Sequence, residues 1–434
     1  MLNNLPTLRV APTTGSADGQ LPPINVVIIG GSTAGIKTAQ SLVKTYTSQQ
    51  VRVTVIDKLD HHYHRIGAAR ALVDSEFAQQ LWIPFTNLFH CALLDSTGGH
   101  THQFVQGCVT RVEEGAVYLE EQDRIIPYDY LVVATGSTLA PSVTPEPPNK
   151  IDYLLNLGYS RKGIAQAQHI LIIGGGPVGV EAAGEIKHAF PEKEVTMVHR
   201  TTELLGSPLP LRFRQQVTQR ILDLGVEVIL EDSIDLMDES NLLSAYNLHQ
   251  MIPNQMLRTF RGKTITTDWV LQTDGARINT DFLCTLQTDG VTSLVGPNQR
   301  VRVLPTLQVK DPKYPNIYAV GDVNDLKCIK TATNALLQTD ILLRNLKTCI
   351  RAKMDERQGK APKRQVKLAS FRDKNDTMYL ALGPQKGICL LPMGFIAGDW
   401  AARFLKSRDL ALTGKWRQMG LEMPVSPSPS SSMT

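Results

Sequence analysis

The clearest hydrophobic pattern along the chain is a short apolar run that ends in glycines and is followed by residues at helical spacing. It occurs twice, as NVVIIGGSTAGIKTAQSL from residue 25 and as HILIIGGGPVGVEAAGEI from residue 169. In each copy the β-branched run predicts a buried parallel strand, and the segment after the last glycine predicts a helix. Each copy therefore predicts a strand, a tight turn and a helix in succession.

The glycines in these two turns point to phosphate binding. A helix N-terminus presents free N–H groups, and glycines let a pyrophosphate approach the backbone closely. The second copy matches G-x-G-x-x-G fully, whereas the first has a serine in place of the middle glycine. We expect nucleotide contacts at Gly30, Gly31, Ser32, Thr33, Ala34 and Gly35 in the first turn, and at Gly174, Gly176, Pro177, Val178 and Gly179 in the second.

The strand that follows each turn separates the two copies chemically. The stretch VRVTVIDK ends in Asp57 and Lys58, and an acid at this position binds the hydroxyls of an adenosine ribose. The aligned stretch KEVTMVHR ends in His199 and Arg200 instead. A basic residue there suits the 2′-phosphate of NADPH, and an exposed arginine at a strand end is the structural alternative. The second nucleotide is therefore expected to be NADH or NADPH.

Two dinucleotide turns in one chain predict two dinucleotides that exchange electrons, one of them held permanently as FAD. Two further strands close in glycine turns: YDYLVVATGS contains Ala134, Thr135 and Gly136, and NIYAVGDVND contains Gly321 and Asp322. We expect these turns to contact FAD. Asp322 follows a buried strand at a predicted helix start, where its carboxylate binds a ribityl hydroxyl, caps the helix, or does both.

Composition narrows the class of protein. The 434 residues, 42% of them hydrophobic and 20% charged, are enough for two or three globular domains. Lys and Arg exceed Asp and Glu by only 45 to 41, which does not favour nucleic acid as a partner. The six cysteines show no C-x-x-C or metal-ligand spacing, so we expect them to be reduced and mostly buried, and we expect no metal site. The longest uncharged apolar stretch, 387–398, is too short to span a bilayer.

The four glycine-turn elements, in this order, resemble the FAD-dependent pyridine nucleotide-disulfide oxidoreductase superfamily over about residues 23–420. No C-x-x-x-x-C follows the first turn and no C-x-x-C occurs in the second domain, so dithiol chemistry is not expected. Three stretches are similar more narrowly to the apoptosis-inducing-factor-like, mitochondrion-associated group of the ferroptosis-suppressor type. They are DHHYHRIGAARALVD (60–74), GVEAAGEIKHAFPEKEVTMVHR (179–200) and FLKSRDLALTGKW (404–416).

The resemblance implies an α/β fold with two interleaved Rossmann-type domains, for FAD and NAD(P)H, and a small C-terminal segment. The expected divisions are a flexible leader (1–22), the first part of the FAD domain (23–150), the NAD(P)H domain (151–297), the second part of the FAD domain (298–350), a charged linker (351–365), the C-terminal segment (366–420) and a disordered tail (421–434).

The resemblance also implies roles for single residues. Arg70 and Val109 match family positions that contact FAD. Glu181 would lie close to the nicotinamide and the flavin; its structural alternative is a carboxylate that stabilises a helix N-terminus. Lys406 matches the lysine of the family's Lys-Ser-Arg-Asp segment, where a cation stabilises the reduced flavin, and its alternative is a solvated basic stripe. Gly275 marks the family's Thr-Gly turn at the nicotinamide nucleotide, into which this chain inserts one residue.

Two further features bear on the electron acceptor. His62, in the cluster DHHYH, is a candidate for protonating a reduced quinone because imidazole titrates near neutral pH, and exposed loop histidines without a role are the alternative. The segment GICLLPMGFIAGDWAARFLKSRDL mixes apolar residues with Arg403, Lys406 and Arg408. That mixture suits a hydrophobic acceptor or peripheral contact with a membrane surface, and equally a helix packed over the flavin domain.

These observations predict an FAD-dependent NAD(P)H oxidoreductase that passes hydride to flavin and then electrons to a quinone-type acceptor, without a redox dithiol. The alternatives are electron transfer to a ferredoxin-like protein, and an apoptosis-inducing-factor-like signalling flavoprotein whose turnover is incidental. The first residues lack a secretory signal and an Arg- and Ser-rich leader, so we expect the protein in the cytoplasm or on the cytosolic face of a membrane. The oligomeric state is left open.

Overall fold

A computed structural model describes residues 21–120, 124–138, 149–206, 208–234, 251–273, 275–286, 293–360, 367–372 and 377–424. The predicted leader up to residue 20 and the predicted tail from residue 425 lie outside the described residues.

The strands of the described residues are short and alternate with helices along most of the chain. They are β1 (Ile24–Ile29), β2 (Val51–Asp57), β3 (His61–Tyr63), β4 (Trp82–Pro84), β5 (Gln103–Gln106), β6 (Val109–Glu113), β7 (Ala116–Leu119), β8 (Ile125–Pro127), β9 (Tyr130–Val133), β10 (Ser137–Thr138), β11 (His169–Ile173), β12 (Glu194–His199), β13 (Val226–Leu230), β14 (Gln255–Arg258), β15 (Thr264–Thr267), β16 (Trp269–Gln272), β17 (Arg277–Ile278), β18 (Ile317–Ala319), β19 (Met378–Ala381), β20 (Gly387–Leu390) and β21 (Ile396–Ala397).

The α-helices of the described residues are α1 (Thr33–Val43), α2 (Ala68–Ala71), α3 (Ser75–Gln80), α4 (Lys150–Gln166), α5 (Pro177–Ala189), α6 (Leu211–Asp223), α7 (Ala332–Arg357), α8 (Asp399–Ala402) and α9 (Leu412–Gln418). Helix α8 continues directly into a π-helical turn over Arg403–Ser407. Among the described helices, none is both long enough and apolar enough to cross a bilayer.

Two parallel sheets form the framework. The first has the strand order β18, β9, β1, β2, β5, and the second has the order β13, β12, β11, β16. Strand β18 joins the first sheet although the whole second sheet lies between β9 and β18 in the sequence. The chain therefore leaves the first domain, builds the second and returns, which confirms the expected α/β architecture with interleaved Rossmann-type domains.

The two glycine motifs occupy equivalent places in these sheets. Strands β1 and β11 each have parallel neighbours on both sides, and their apolar side chains are buried in the cores of the two domains. Each strand ends at a glycine in the left-handed region, Gly30 with φ +107° and Gly174 with φ +108°. Other residue types rarely adopt this backbone conformation, so the sequence turns from strand to helix at these two positions.

The C-terminal segment contacts both domains. Its antiparallel sheet, β19–β20–β21, packs on α5 of the second domain so closely that a Cβ added to Gly184 would lie 2.5 Å from the Cα of Leu382. On the first domain, the Trp416 indole N–H donates to the Gln80 carbonyl oxygen at 2.9 Å. The segment is therefore positioned over the junction of the two nucleotide domains.

Three sequence expectations differ from the structure. No helix begins at Asp322, because the chain forms a folded loop there and α7 begins ten residues later, capped by Thr331; the N-cap alternative for Asp322 is therefore wrong. Helix α7 continues to Arg357, into the expected linker. All six cysteines are described and none forms a disulfide, but only Cys389 is buried, so the expectation of mostly buried thiols is wrong.

Candidate functional site

The first glycine turn is held by the aspartate at the end of β2. The Gly31 N–H donates to Oδ2 of Asp57 at 2.6 Å, and the Leu59 N–H donates to Oδ1 at 2.9 Å. Burial raises the pKa of the Asp57 carboxyl, and these two N–H groups oppose that rise. Carboxylate oxygens accept more than one hydrogen bond each, so Asp57 retains lone pairs for ribose hydroxyls. Lys58 follows on the exposed side, and Val109 begins β6 half-buried.

The second glycine turn repeats this arrangement with a different side chain. The Gly175 N–H lies 3.1 Å from Nδ1 of His199, in the place where Gly31 meets Asp57. The histidine thus preserves the backbone contact and removes the negative charge that an aspartate would place beside a ribose. Arg200 follows and is exposed. This combination is compatible with NADPH as well as NADH.

The helices that leave the turns begin without a capping side-chain hydrogen bond among the described residues. At Gly176 an added Cβ would meet no described atom within 4 Å, whereas at Gly179 it would lie 2.0 Å from the Gly174 carbonyl oxygen. The fold therefore requires Gly179 but gives no reason for Gly176, which close approach of a pyrophosphate would explain. The remaining predicted contacts stand at or next to these helix starts: Ser32, Thr33, Ala34, Gly35, Pro177 and Val178.

The turns after β9 and β18 meet beside the first glycine turn. The Ser137 hydroxyl donates to Oδ2 of Asp322 at 3.4 Å, and Arg65 donates to the Ser137 carbonyl oxygen. The Thr135 hydroxyl donates to the Asn279 carbonyl oxygen at 2.7 Å, which fixes the turn over Ala134, Thr135 and Gly136. The structure therefore brings together the two turns that were predicted separately to contact FAD.

The predicted Thr-Gly turn lies beside the second glycine turn. The Thr273 hydroxyl is 2.7 Å from the Gly174 carbonyl oxygen and 3.0 Å from that of Ile173. Gly275 follows with φ +76°. The inserted residue 274 lies outside the described residues. Thr273 thus contacts the second glycine turn, and the contact of Gly275 with the nicotinamide nucleotide remains a prediction.

Glu181 and Lys406 form an ion pair between α5 and the C-terminal segment. Lys406 Nζ lies 2.6 Å from Oε1 of Glu181 and also donates to the Tyr379 carbonyl oxygen at 3.0 Å. The Ala381 N–H donates to the same Oε1 at 3.0 Å. Lys406 is therefore held in an ion pair and is not part of a solvated stripe, whereas Arg403 and Arg408 are exposed.

A second and more deeply buried ion pair lies one helical turn further along α5. Arg70 and Glu185 are 5% and 2% exposed, and Nη2 of Arg70 lies 2.9 Å from Oε1 of Glu185. The guanidinium also donates to the carbonyl oxygens of Ser407 and Arg408, at 2.6 and 3.1 Å. Burial raises the pKa of the Glu185 carboxyl, and the Arg70 charge opposes that rise. Arg70 thus fixes the end of the π-helical turn that carries Lys406; its contact with FAD remains a prediction.

Glu185 was not among the residues selected from the sequence. Its position four residues after Glu181 places both carboxylates on one face of α5, and this spacing was the available signal. Glu181 pairs with Lys406 of the C-terminal segment and Glu185 pairs with Arg70 of α2, so this face of α5 contacts both the segment and the first domain.

His62 is buried beneath the first glycine turn. It is 3% exposed, and its Nδ1 lies 3.3 Å from the Gly31 carbonyl oxygen. Burial, assisted by the charges of Lys415 and His64, holds the pKa of His62 well below its usual range, so the imidazole is neutral. His64 is also buried, with its Nε2 2.8 Å from the Leu410 carbonyl oxygen. The alternative of exposed loop histidines is therefore wrong for both, and the proton-transfer role of His62 remains a prediction.

Comparison with known families decides the classification. A family model described as pyridine nucleotide-disulphide oxidoreductase matches residues 24–339. The chain belongs to the pyridine nucleotide-disulphide oxidoreductase family. The match covers both glycine turns, the turns at 134–136 and 321–322, and the start of α7.

Curated relatives within this family confirm the narrower resemblance. Apoptosis-inducing factor homolog B of Dictyostelium discoideum is 28% identical over 411 residues, which cover 92% of this chain and 98% of the relative. Ferroptosis suppressor protein 1 of Mus musculus is 28% identical over 403 residues, with 92% and 97% covered. An FAD-dependent oxidoreductase of Flammulina velutipes is 30% identical over 338 residues, with 76% and 92% covered.

Solved structures of the oxidoreductase family share the fold. The ferredoxin reductase for the CYP199A2 system of Rhodopseudomonas palustris superimposes with a TM-score of 0.58 at 15% identity, covering 92% of this chain and 95% of that one. The water-forming NADH oxidase of Lactobacillus brevis, bound to NADH, gives 0.54 at 18% identity, covering 84% and 74%. At these identities the likeness concerns the fold alone.

FAD and NAD(P)H are the cofactors of this oxidoreductase. The chain's own residues fit them: two strand–turn–helix units present helix N-termini, Asp57 stands at the end of β2 where an acid would bind a ribose, and Gly176 leaves its backbone open to a pyrophosphate. Asp57 and the first turn would hold the FAD adenosine and pyrophosphate, and Gly176 with its helix would hold those of NAD(P)H. FAD, when bound, accepts a hydride and passes the two electrons on to an acceptor.

Changing His199 to aspartate is expected to shift nucleotide selection toward NADH. The new carboxylate would still accept the Gly175 N–H but would repel a 2′-phosphate, so the ratio of kcat/KM for NADPH to that for NADH should fall about tenfold or more. Steady-state kinetics with both nucleotides measure this ratio. His199→Asn is the matched control, because it keeps a hydrogen-bond acceptor without the charge. An unchanged ratio in His199→Asp would contradict a role of this position in nucleotide selection.

Breaking one partner of the Arg70–Glu185 pair is expected to destabilise the protein severely. Arg70→Met leaves the Glu185 carboxylate buried without its cation, and such a loss costs about 3–5 kcal/mol of unfolding free energy. The double variant Arg70→Met/Glu185→Leu removes both charges and should recover most of that loss. Urea unfolding of the purified variants measures the difference. Equal destabilisation in the single and double variants would show that packing, not the unpaired charge, sets the cost.

Proposed function

We propose that this flavoprotein transfers electrons from NAD(P)H through FAD to a quinone-type acceptor. The observation that carries the proposal is the Lys406–Glu181 ion pair, which lies where the C-terminal segment covers the junction of the two nucleotide domains. A lysine ammonium held at 2.6 Å by a carboxylate supplies a fixed positive charge and a proton donor to an acceptor that enters beside it. Lys406 comes from the C-terminal segment and Glu181 from the second domain, so the site exists only when the segment packs on that domain.

The absence of a redox dithiol in the sequence supports an external acceptor. Helix α1, which follows the first glycine turn, contains no cysteine, and the six cysteines are widely spaced along the chain. Disulfide reductases of this superfamily carry their cysteine pair on that helix. Electrons therefore have no thiol relay within this chain and pass from the cofactor to a molecule that binds at the site.

The residues around the pair give the acceptor site its polarity. The Tyr379 carbonyl oxygen and the Ala381 N–H complete the hydrogen bonding of Lys406 and Glu181, so both side chains are held in place with little exposure to water. A quinone carbonyl suits this site because it accepts a hydrogen bond from the ammonium and then requires protons. His62, the proton donor expected from the sequence, is buried beneath the first glycine turn and neutral. This proposal therefore assigns proton donation to Lys406 and keeps His62 as the second candidate for that role.

Electron transfer to a ferredoxin-like protein is the second candidate, and an acidic partner of that kind would need a basic docking face on this chain. The exposed surface of the C-terminal segment does not favour this candidate, because the exposed rings of Trp400 and Phe404 interrupt the basic face that an acidic ferredoxin would need. We place the protein in the cytoplasm or on the cytosolic face of a membrane. For the third alternative, a signalling role with incidental turnover, no feature of the described residues gives specific support.

A comparison of electron acceptors tests the proposal. The purified flavoprotein is reduced anaerobically with NADPH or NADH and then mixed with a short-chain ubiquinone analogue, a plant-type ferredoxin or a small disulfide, while flavin absorbance is followed. The proposal predicts that the quinone reoxidises the flavin at least about tenfold faster than the other two acceptors at equal concentration. Faster reoxidation by ferredoxin would support the second candidate, and reoxidation by none of the three would contradict both.

A further inference from the structure

The C-terminal segment exposes large apolar side chains that its own packing leaves uncovered. Met393, Phe395, Trp400 and Phe404 are 91%, 64%, 84% and 83% exposed, and they lie within twelve residues of sequence. We call these four residues the aromatic face. Single exposed apolar residues are common on soluble proteins, but a group of this kind marks a surface that binds something.

The aromatic face belongs to a rigid part of the segment. Trp400 and Phe404 stand four residues apart on the continuous run of α8 and the π-helical turn, so they project from one side of it. The start of the run is fixed by Asp399, whose Oδ1 accepts the Gly387 N–H at 3.0 Å and pairs with Arg220 at 2.6 Å. Ordered, exposed aromatic rings at a fixed position are not explained by fraying of the segment.

Positive charge accompanies the aromatic face. Arg403 is exposed on the same helical run, Arg408 is exposed directly after it, and Lys386 is exposed on the turn before β20. Residues 366–420 contain nine Lys and Arg against four Asp and Glu, whereas the rest of the chain contains 36 against 37. The excess positive charge of the protein is therefore located in this one segment, where it complements an anionic surface.

The helical run that carries the aromatic face also carries the acceptor site. Ala401, Ala402 and Ser407 are buried, and Lys406 points to Glu181 at 2.6 Å. One side of the run thus faces solvent with aromatic rings while another side lines the proposed site. A helix with its side chains is about 10–12 Å thick, so a molecule leaving an apolar surface at the aromatic face has a short path to Lys406.

We propose that the aromatic face docks on the surface of an anionic lipid bilayer, with Trp400 and Phe404 inserted among the lipids and Arg403 and Arg408 against their phosphates. Aromatic rings flanked by arginines suit the membrane interface, and binding there combines apolar burial with attraction to anionic lipids. A second copy of the chain is a poorer occupant, because pairing two such faces would bring their arginines together. The exposed rings and the positive charge support docking independently of the proposed function. The reason for docking rests on the proposed function, because a bilayer holds long-chain quinones.

Binding to vesicles tests the docking directly. The full chain with its FAD is sedimented with vesicles of phosphatidylcholine alone or mixed with phosphatidylserine. We expect binding to the mixed vesicles, a fall of at least about tenfold in the partition coefficient for Trp400→Ser/Phe404→Ser, and loss of the phosphatidylserine preference for Arg403→Gln/Arg408→Gln. The matched control, Leu155→Ser/Tyr159→Ser, removes another pair of exposed apolar side chains four residues apart, on α4, and should bind as the unaltered chain does.

Activity with a water-soluble short-chain quinone separates docking from catalysis. Trp400→Ser/Phe404→Ser should keep this activity, since both rings face solvent whereas the Lys406–Glu181 pair is largely buried, and should lose activity toward a long-chain quinone held in vesicles. Vesicle binding that is unchanged in this variant would overturn the docking proposal, as would a dimer in sedimentation velocity that this variant dissociates. Vesicle binding without reduction of either quinone would leave docking standing and contradict the proposed function instead.

Discussion

Replacing Lys406 by methionine is expected to slow quinone-dependent turnover about 10²-fold or more while the protein keeps its flavin. The substitution removes the cation that pairs with Glu181 at 2.6 Å and leaves the apolar part of the side chain in place. Loss of one preorganised donor at a site of developing charge costs about 10²–10³ in rate. Stopped-flow measurement separates the two half-reactions, and the larger effect should fall on reoxidation by quinone.

Two controls make this result specific to the ion pair. Lys386→Met removes an exposed lysine of the same segment and should leave both half-reactions unchanged. Glu181→Gln keeps the hydrogen-bond acceptor for the Ala381 N–H and removes the charge that holds Lys406, so it should slow reoxidation less than Lys406→Met does. If Lys406→Met retained full quinone reductase activity, the acceptor site would have to lie elsewhere.

Replacing Gly176 by valine is expected to abolish efficient use of NAD(P)H without unfolding the protein. A Cβ at Gly176 meets no described atom within 4 Å, and its φ of −73° is one that valine adopts, so the fold accepts the side chain. The new methyl groups would occupy the space through which a pyrophosphate reaches the helix N-terminus. The KM for both nucleotides should rise at least about tenfold, equivalent to about 1.4 kcal/mol of binding.

Gly179→Val is the contrasting variant for this prediction. Its Cβ would lie 2.0 Å from the Gly174 carbonyl oxygen, so this change should lower thermal stability or prevent folding. Gly176→Val should instead keep its melting temperature close to that of the unaltered chain and its ratio of flavin to protein unchanged. Unaltered nucleotide KM values in Gly176→Val would show that the second turn does not bind the nicotinamide cofactor.

The local parts of the fold follow directly from sequence. Strands β1, β2, β11 and β12 and the helices after the glycine turns lie where the apolar runs predict them, since a buried parallel strand and a phosphate turn each leave a contiguous pattern. The loop at Asp322 escaped prediction because its order comes from distant groups. Asn324 is buried and bonds to Gln338, fourteen residues away, and these contacts delay the start of α7.

The candidate site is formed by residues far apart in the sequence, so its contacts cannot be predicted from local sequence patterns. Lys406 is 225 residues from Glu181, and Arg70 is 115 residues from Glu185. Lys406 and Glu181 were selected only through resemblance to a family, which did not indicate that they touch. Burial of His62 and His64 was missed for the same reason, because the residues that cover them come from the far end of the chain.

Anaerobic mixing of the purified flavoprotein with NADPH or NADH, followed by a short-chain quinone, tests the central claim most directly. The flavin absorbance should bleach on addition of at least one nucleotide and recover when the quinone is added, which would establish both halves of the reaction. Bound flavin that neither nucleotide bleaches would contradict the claim. The protein would then be a flavoprotein that does not oxidise NAD(P)H.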